Sequence, residues 1–331
     1  LHDYIGGSDR VLTSIMSLPD HLQPKGYSNI LALVKCSTMK TLLVATDFSA
    51  ASHNAFNYSL QLAQSLQAKI VLFTAFQPIS IPSPETAIVI SPAELRLSAQ
   101  AHLQQQLRTA SLPVKVPVEL ICEEGEAVTA ILEEAAKIKA DFIVTGMKEH
   151  GKGFRQFFGS TVTGLAKHSS FPLLVIPEKA AWKQPGRIAL ANDISLDTSA
   201  HTLDALTSLG TSFHSKVYIL RILTDRLTGV FELMHGIAKL STLQRTLETE
   251  YAFYNSKHIT ETIQYFVHKQ QIDLLALIPH QHGFMERMLH KSQTKSMIFR
   301  SEIPLLILPE LKMNFEPSAD HASRLPQQNR E

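Results

Sequence analysis

Shifted by 132 positions, this sequence falls on itself. Asp141 lands on Asp273, His150 on His282, Gly151 on Gly283, Arg155 on Arg287, Ser160 on Ser292 and Ser169 on Ser301. Pro172-Leu173-Leu174 lands on Pro304-Leu305-Leu306, and Pro177-Glu178 on Pro309-Glu310. That makes eleven identities over residues 141–178 without a gap, against roughly two expected by chance at ordinary composition. Earlier in the chain, Ala45-Thr46-Asp47-Phe48-Ser49 matches Ala191-Asn192-Asp193-Ile194-Ser195 at a shift of 146. A chain that repeats itself over this span builds one kind of domain twice, and the fall in shift from 146 to 132 along the chain means that the second copy has lost residues in its middle. The 331 residues suit two domains of roughly 150 residues each.

The periodicity inside the first copy names the domain class. Residues 41–46 form a short apolar run, and residues 49–67 follow with Ala55, Phe56, Leu60, Ala63 and Leu66 at helical spacing. Residues 69–76 are a second β-rich run, and Ser91-Pro92-Ala93-Glu94 opens a helix as a capping box with Pro in the first turn. Residues 116–122 read as a third strand, 126–139 as a helix, 141–145 as a fourth strand, 160–168 as a helix and 171–176 as a fifth strand. The strands are apolar throughout rather than alternating, so both faces of the sheet are expected to be covered and the strands to be parallel. The fold class is α/β.

Composition excludes several classes. With 44% hydrophobic and 18% charged residues the chain reads as globular, and a net charge of +1 gives no basic face for nucleic acid. Cys36 and Cys122 lie far apart and in no metal-binding spacing, so neither a disulfide framework nor a zinc site is expected and a cytoplasmic location fits. No apolar run reaches the roughly 18 residues that a membrane helix needs. The ends differ from the rest. Residues 1–38 show no sustained period and are expected to be a disordered or non-native extension before a natural start at Met39, the alternative being a genuine anchoring extension. Residues 311–331 read as a disordered tail.

A strand ending in "VATDFS", a repeat of about 140 residues and a distal "TG…FGST…PLLVIP" block resemble the universal stress protein family in its tandem two-domain form. The resemblance covers residues 39–310. It implies domains at 39–179 and 186–310, each an open five-stranded parallel sheet of the adenine nucleotide α-hydrolase-like type with strand order 3-2-1-4-5 and helices on both faces. It also implies ligands at the carboxyl edge where that order reverses, and dimer-like association that the two copies can satisfy internally or by forming a homodimer.

The chemistry of that edge can be argued from residue types. Asp47 lies just past the first strand, where a carboxylate can accept a ribose hydroxyl. Gly146 is expected to end the fourth strand, and Gly159-Ser160 to open the following helix, whose unpaired N–H groups suit an anion. Lys148, Lys152 and Arg155 lie on the loop between them. Nucleotide-binding members of the family carry G-x-x-G, nine residues, then G-[ST]. Gly146, Gly159 and Ser160 stand in that register, while Glu149 replaces the second glycine and brings a carboxylate to the phosphate position. The expected contacts are therefore Asp47, Gly146, Gly159 and Ser160 with ATP, and magnesium on the phosphates; the opposing reading makes the glycines turn-formers only. In the second copy Ile278 stands for Gly146, Gln281 for Glu149 and Lys291 for Gly159, leaving Asp193, Gly283 and Ser292, so that copy reads as degenerate. His280, His282 and His290 lack a matching carboxylate or cysteine and read as loop histidines.

Enzyme signatures are missing from the sequence: no G-x-x-x-x-G-K-[ST] and no G-x-S-x-G occurs. Ser49, Asp47 and His53 are too close together for a relay, and Ser49 reads as a helix cap. The expectation is a non-catalytic stress-response protein, with nucleotide in the first copy only. The alternatives are a nucleotide-independent interaction module, its "PLLVIP" and "PLLILP" strands meeting edge to edge, and a slow ATPase.

Overall fold

In the computed structural model, residues 39–78, 80–81, 88–89, 91–148, 160–191, 200–223, 241–278 and 303–309 are described. The expectations placed on residues 1–38, 149–159 and 311–331 lie outside them.

Strand β1 (Thr41–Ala45) is buried along its whole length and runs into helix α1 (Ala50–Leu66) through a four-residue loop. Ser49 caps α1, its Oγ accepting from Ser52 N at 3.4 Å, and Gln67 closes it in the left-handed region at φ 52°. Strand β2 (Lys69–Phe76) follows, and then an antiparallel ribbon of β3 (Ser80–Ile81) and β4 (Ile88–Val89). Helix α2 (Pro92–Arg108) opens on the capping box expected of its sequence: Ser91 Oγ accepts from Glu94 N at 3.2 Å, and Glu94 Oε2 accepts from Ser91 N at 3.0 Å. Strand β5 (Val118–Glu124), helix α3 (Ala127–Lys137), strand β6 (Phe142–Met147), helix α4 (Ser160–His168) and strand β7 (Leu173–Pro177) complete the first copy.

The second copy repeats the plan. Its elements are β8 (Arg187–Ala191), a 3₁₀ turn (Ala200–Leu203), α5 (Asp204–Phe213), β9 (Lys216–Leu223), α6 (Ser241–Thr246), β10 (Glu248–Asn255), α7 (Ile259–Gln270), β11 (Leu274–Leu277) and β12 (Leu305–Ile307). One identity in the repeat has a clear cause. Asp141 Oδ2 accepts from Thr41 N at 2.7 Å, and Asp273 Oδ2 accepts from Arg187 N at 2.8 Å. In each copy the carboxylate ahead of the fourth strand ties down the start of the first.

The strand order is β10-β9-β8-β11-β12-β7-β6-β1-β2-β5. Each half therefore has the order 3-2-1-4-5, with parallel neighbours. Two tandem five-stranded sheets were expected, with an edge-to-edge meeting of the "PLLVIP" and "PLLILP" strands among the alternatives; these edges do meet, and one ten-stranded sheet results. The seam is antiparallel, with Leu173 opposite Ile307, Leu174 opposite Leu306 and Val175 opposite Leu305. The edge strands are apolar and buried on both faces, and pairing them satisfies backbone groups that would otherwise be left open.

Strand residues alternate between two apolar layers. Leu42, Val44, Ile188 and Leu190 face one layer with α1, α2 and α5; Leu43, Ala45, Ala189 and Ala191 face the other with α3, α4 and α7. Both layers run across the seam without a break. Trp182, in the connection between the copies, adds a bridge: its ring lies 4.8 Å from Tyr58 of α1 and 6.3 Å from Phe213 of α5. Lys40 Nζ also donates to Ser208 Oγ at 2.6 Å, and Lys183 pairs with buried Asp273 at 2.6 Å.

Candidate functional site

In a parallel sheet of this order, the crevice lies outside the carboxyl ends of the strands where the winding reverses. In the first copy that is the gap between β1 and β6. A cleft of about 820 Å³ opens there, lined by Asp47, Thr74, Gly146, Lys148 and Ser160 among others. It is large enough for a small organic ligand. Three of the four expected contacts, Asp47, Gly146 and Ser160, line it together; Gly159 lies outside the described residues, as do Glu149, Lys152 and Arg155.

The loop after β1 is built by buried hydroxyls. Thr46 Oγ1 donates to Gln106 Oε1 of α2 at 2.8 Å, lies 3.0 Å from Ser52 Oγ and accepts from Phe48 N at 3.0 Å. Thr74 Oγ1 of β2 donates to the Thr46 carbonyl at 2.9 Å. Phe48 takes φ 60°, a left-handed conformation that a bulky residue adopts only when its surroundings impose it; its ring rests against His102 of α2 at 5.2 Å. Asp47 is thereby turned out of the sheet edge. Its Oδ1 accepts from Ser49 N at 3.1 Å and Ser49 Oγ at 2.5 Å, and its Oδ2 pairs with Lys148 Nζ at 2.8 Å. Partial burial pushes the Asp47 carboxyl up, but the Lys148 ammonium and the serine donors outweigh it and hold the group at about 2.

Gly146 was expected to end the fourth strand. It lies inside β6, opposite Ile176 of β7, and the strand continues to Met147. A Cβ there would stand 2.3 Å from the Ala51 carbonyl oxygen and 2.6 Å from Ser52 N. The glycine is required because the first turn of α1 sits directly on the strand. In the second copy Ile278 occupies the corresponding position and is buried.

Opposite Asp47, the first turn of α4 supplies Ser160, Thr161 and Thr163 to the cleft, and its last turn supplies Lys167 and His168. The free N–H groups and partial positive charge at its start suit an anion. Ala45, Phe73, Ala75 and Ile131 give the cleft an apolar wall. The arrangement can therefore take a ligand with a flat or apolar part, hydroxyls for the carboxylate and an anionic end for the helix. Thr46, Thr74 and Gln106 were not singled out by sequence reasoning. A signal for Gln106 existed: with Ala99 and Leu103 it lies on the buried stripe of α2.

Among the described residues no group of three or more His, Cys, Asp or Glu side chains could hold a metal, and no helix is long and apolar enough to cross a membrane. His280, His282 and His290 lie outside the described residues, as do Asp193, Gly283 and Ser292.

The fold and the crevice define an open, parallel α/β domain with its ligand edge at the reversal of strand order. Residues 38–177 match the model of the universal stress protein family. The whole tandem resembles the crystal structure of a universal stress protein from Archaeoglobus fulgidus, with a TM-score of 0.62 at 15% identity, covering 83% of this chain and 100% of that one. That likeness is one of fold. Single-domain structures match as well. A universal stress protein in complex with cAMP has 24% identity, covers 43% of this chain and 99% of its own, and gives a TM-score of 0.33. A family member from Arabidopsis thaliana with AMP bound has 21% identity, covers 42% and 91%, and gives 0.29. Compared with the curated proteins, the sequence has no match.

Proposed function

We propose that the chain is a non-catalytic, cytoplasmic stress-response protein that binds an adenine nucleotide in its first domain, residues 39–179. The second domain, 186–310, is degenerate and serves packing or regulation. The observation that carries this reading is the cleft at the β1/β6 crevice, where Asp47, Gly146 and Ser160 meet although they lie up to 113 positions apart in sequence. In this reading Asp47 accepts a ribose hydroxyl, the wall of Ala45, Phe73 and Ala75 faces the base, and the start of α4, with Gly159 and Ser160, receives the phosphates of ATP, with magnesium on them. Gly146 contributes by letting α1 close on the sheet, which sets the depth of the crevice.

Calorimetry of the full chain with ATP and magnesium tests the reading. One site per chain with micromolar affinity supports it, and Ser160→Asp, which places a charge against the phosphates, weakens that binding at least tenfold. No heat at high protein concentration sinks it and favours an interaction module that works without nucleotide. Phosphate release above the spontaneous rate would instead support a slow ATPase.

A further inference from the structure

Tyr251 and Phe253 stand on one face of β10, their rings stacked 6.0 Å apart at 5°. They are the second-copy counterparts of Leu120 and Cys122 in β5: Cys122 lies opposite Thr74, the sixth residue of β2, and Phe253 opposite Arg221, the sixth residue of β9. Their cover differs. In the first copy the seventeen-residue α2 lies over β5, Arg96 donates to the Cys122 carbonyl at 3.0 Å, and Cys122 is 4% exposed. In the second copy the connection before β10 is the one that has lost residues, and its described helix, α6, has six. Gln244 of α6 donates to Tyr251 Oη at 2.8 Å, yet Phe253 is left 43% exposed.

Strand β10 is also the last strand of the sheet, so among the described residues its outer row of N–H and C=O groups meets no strand. Natural edges are guarded by charge, proline, a bulge or short length. β10 runs eight residues in unbroken register with β9 and contains no proline. Its two charges, Glu248 and Glu250, are both paired by Lys216, at 3.2 and 2.9 Å. The opposite edge, β5, carries Glu119, Glu123 and Glu124.

We propose that β10 is an interface through which two copies of this chain pair edge to edge, antiparallel, about a twofold axis at Ala252. About that axis Tyr251 of each copy faces Phe253 of the other, Glu250 faces Tyr254 and Thr249 faces Asn255. Cross-strand aromatic pairs then form on the uncovered face, and no carboxylate meets another. The chain already joins its own two halves in this way, β7 to β12, antiparallel about the Leu174–Leu306 pair. A copy presenting β5 instead would set Glu119, Glu123 and Glu124 against Glu248 and Glu250. It would also leave further edges open, the geometry of a filament, whereas β10 on β10 closes.

Sedimentation of the full chain tests the pairing. A dimer at micromolar concentration is expected, and Phe253→Lys, at an exposed position, raises its dissociation constant by about tenfold or more while circular dichroism and Trp182 fluorescence stay as in wild type. Ala252→Cys reads the register. Opposed Cα atoms in an antiparallel pair lie about 4.5–5.5 Å apart, within disulfide reach, so mild oxidation links this variant into dimers well above the background that Cys36 and Cys122 give in wild type. Glu250→Cys, which faces Tyr254 rather than its own copy, does not link. A chain that is monomeric at every concentration overturns the proposal, and so does a dimer indifferent to Phe253→Lys. Linking through Glu250→Cys but not Ala252→Cys overturns the axis at Ala252.

Discussion

At the scale of single residues, the same position can matter for a reason other than the one its type suggests. Gly146 stands where the family motif wants a glycine near phosphate, yet its missing side chain makes room for Ala51 and Ser52. The atoms in the way are backbone, so a methyl cannot be absorbed by turning a side chain. Gly146→Ala is expected to lower stability by about 1–3 kcal/mol through overpacking, read as a lower urea midpoint; an unchanged midpoint would show that α1 does not sit so close. Asp47 gives a pH signature with a definite sign. Its folded pKa, about 2, lies below the ordinary 3.8, so its contribution is present above pH 4 and is lost as pH falls toward 2. An exposed pair contributes less than about 1 kcal/mol, and Asp47→Asn should remove that increment at neutral pH while leaving stability near pH 2 equal to wild type. Denaturation of both proteins at the two pH values checks it. Asp47 and Ser160 were legible in the sequence because a carboxylate after a strand and a hydroxyl opening a helix are local signals. The packing need at Gly146 was not, because it depends on a helix 95 positions away in the chain.

At the scale of elements, the periodicity located the major strands and helices of the first copy, and α4 kept its expected bounds. The third strand came out two residues later than expected, at Val118–Glu124, and the β3–β4 ribbon was not foreseen, since strands of two residues are too short to show a period. What the pattern could not show is that α2 supports the loop after β1. Gln106 is 1% exposed, and its amide reaches both the Thr46 hydroxyl at 2.8 Å and the Ser52 carbonyl at 3.5 Å. Leucine at this position fits the apolar stripe but leaves buried polar atoms without their partner. Gln106→Leu should therefore cost about 1–3 kcal/mol and free the loop that carries Asp47, so the Phe48 amide, held by Thr46 Oγ1, exchanges faster with solvent relative to the sheet core. Uniform loss of protection over the whole domain would mean that Gln106 supports the fold generally rather than this loop.

At the scale of the whole molecule, the repeat and the seam obey one symmetry. Leu174 and Leu306, which face each other at the centre of the β7–β12 pair, are equivalent positions in the two copies, and their neighbours exchange partners about them. The seam is thus a pseudo-twofold axis normal to the sheet, and this geometry allows either half to pair with a second copy of itself in the same register. Pro172 precedes β7 and Pro177 is its last residue, and Pro304 and Pro309 bracket β12, which confines the pairing to the short apolar stretch between the prolines. The repeat made the likeness of the two halves legible, and the "PLLVIP" and "PLLILP" runs offered an edge-to-edge meeting as one reading; the antiparallel register of that meeting was not legible, because it depends on how the two fifth strands lie in space. A chain cut to residues 39–183 exposes the β7 edge and both apolar layers at once. It is expected to form a symmetric dimer, Leu174 opposite Leu174, seen as twice the chain mass in sedimentation, and Leu174→Lys in that fragment should return it to a monomer. A folded fragment that stays monomeric would show that the seam needs contacts outside the sheet. Trp182, the only tryptophan, sits between α1 and α5 and reports on those contacts: in the full chain its fluorescence change on heating should coincide with loss of helical signal, since both apolar layers cross the seam and the halves unfold together.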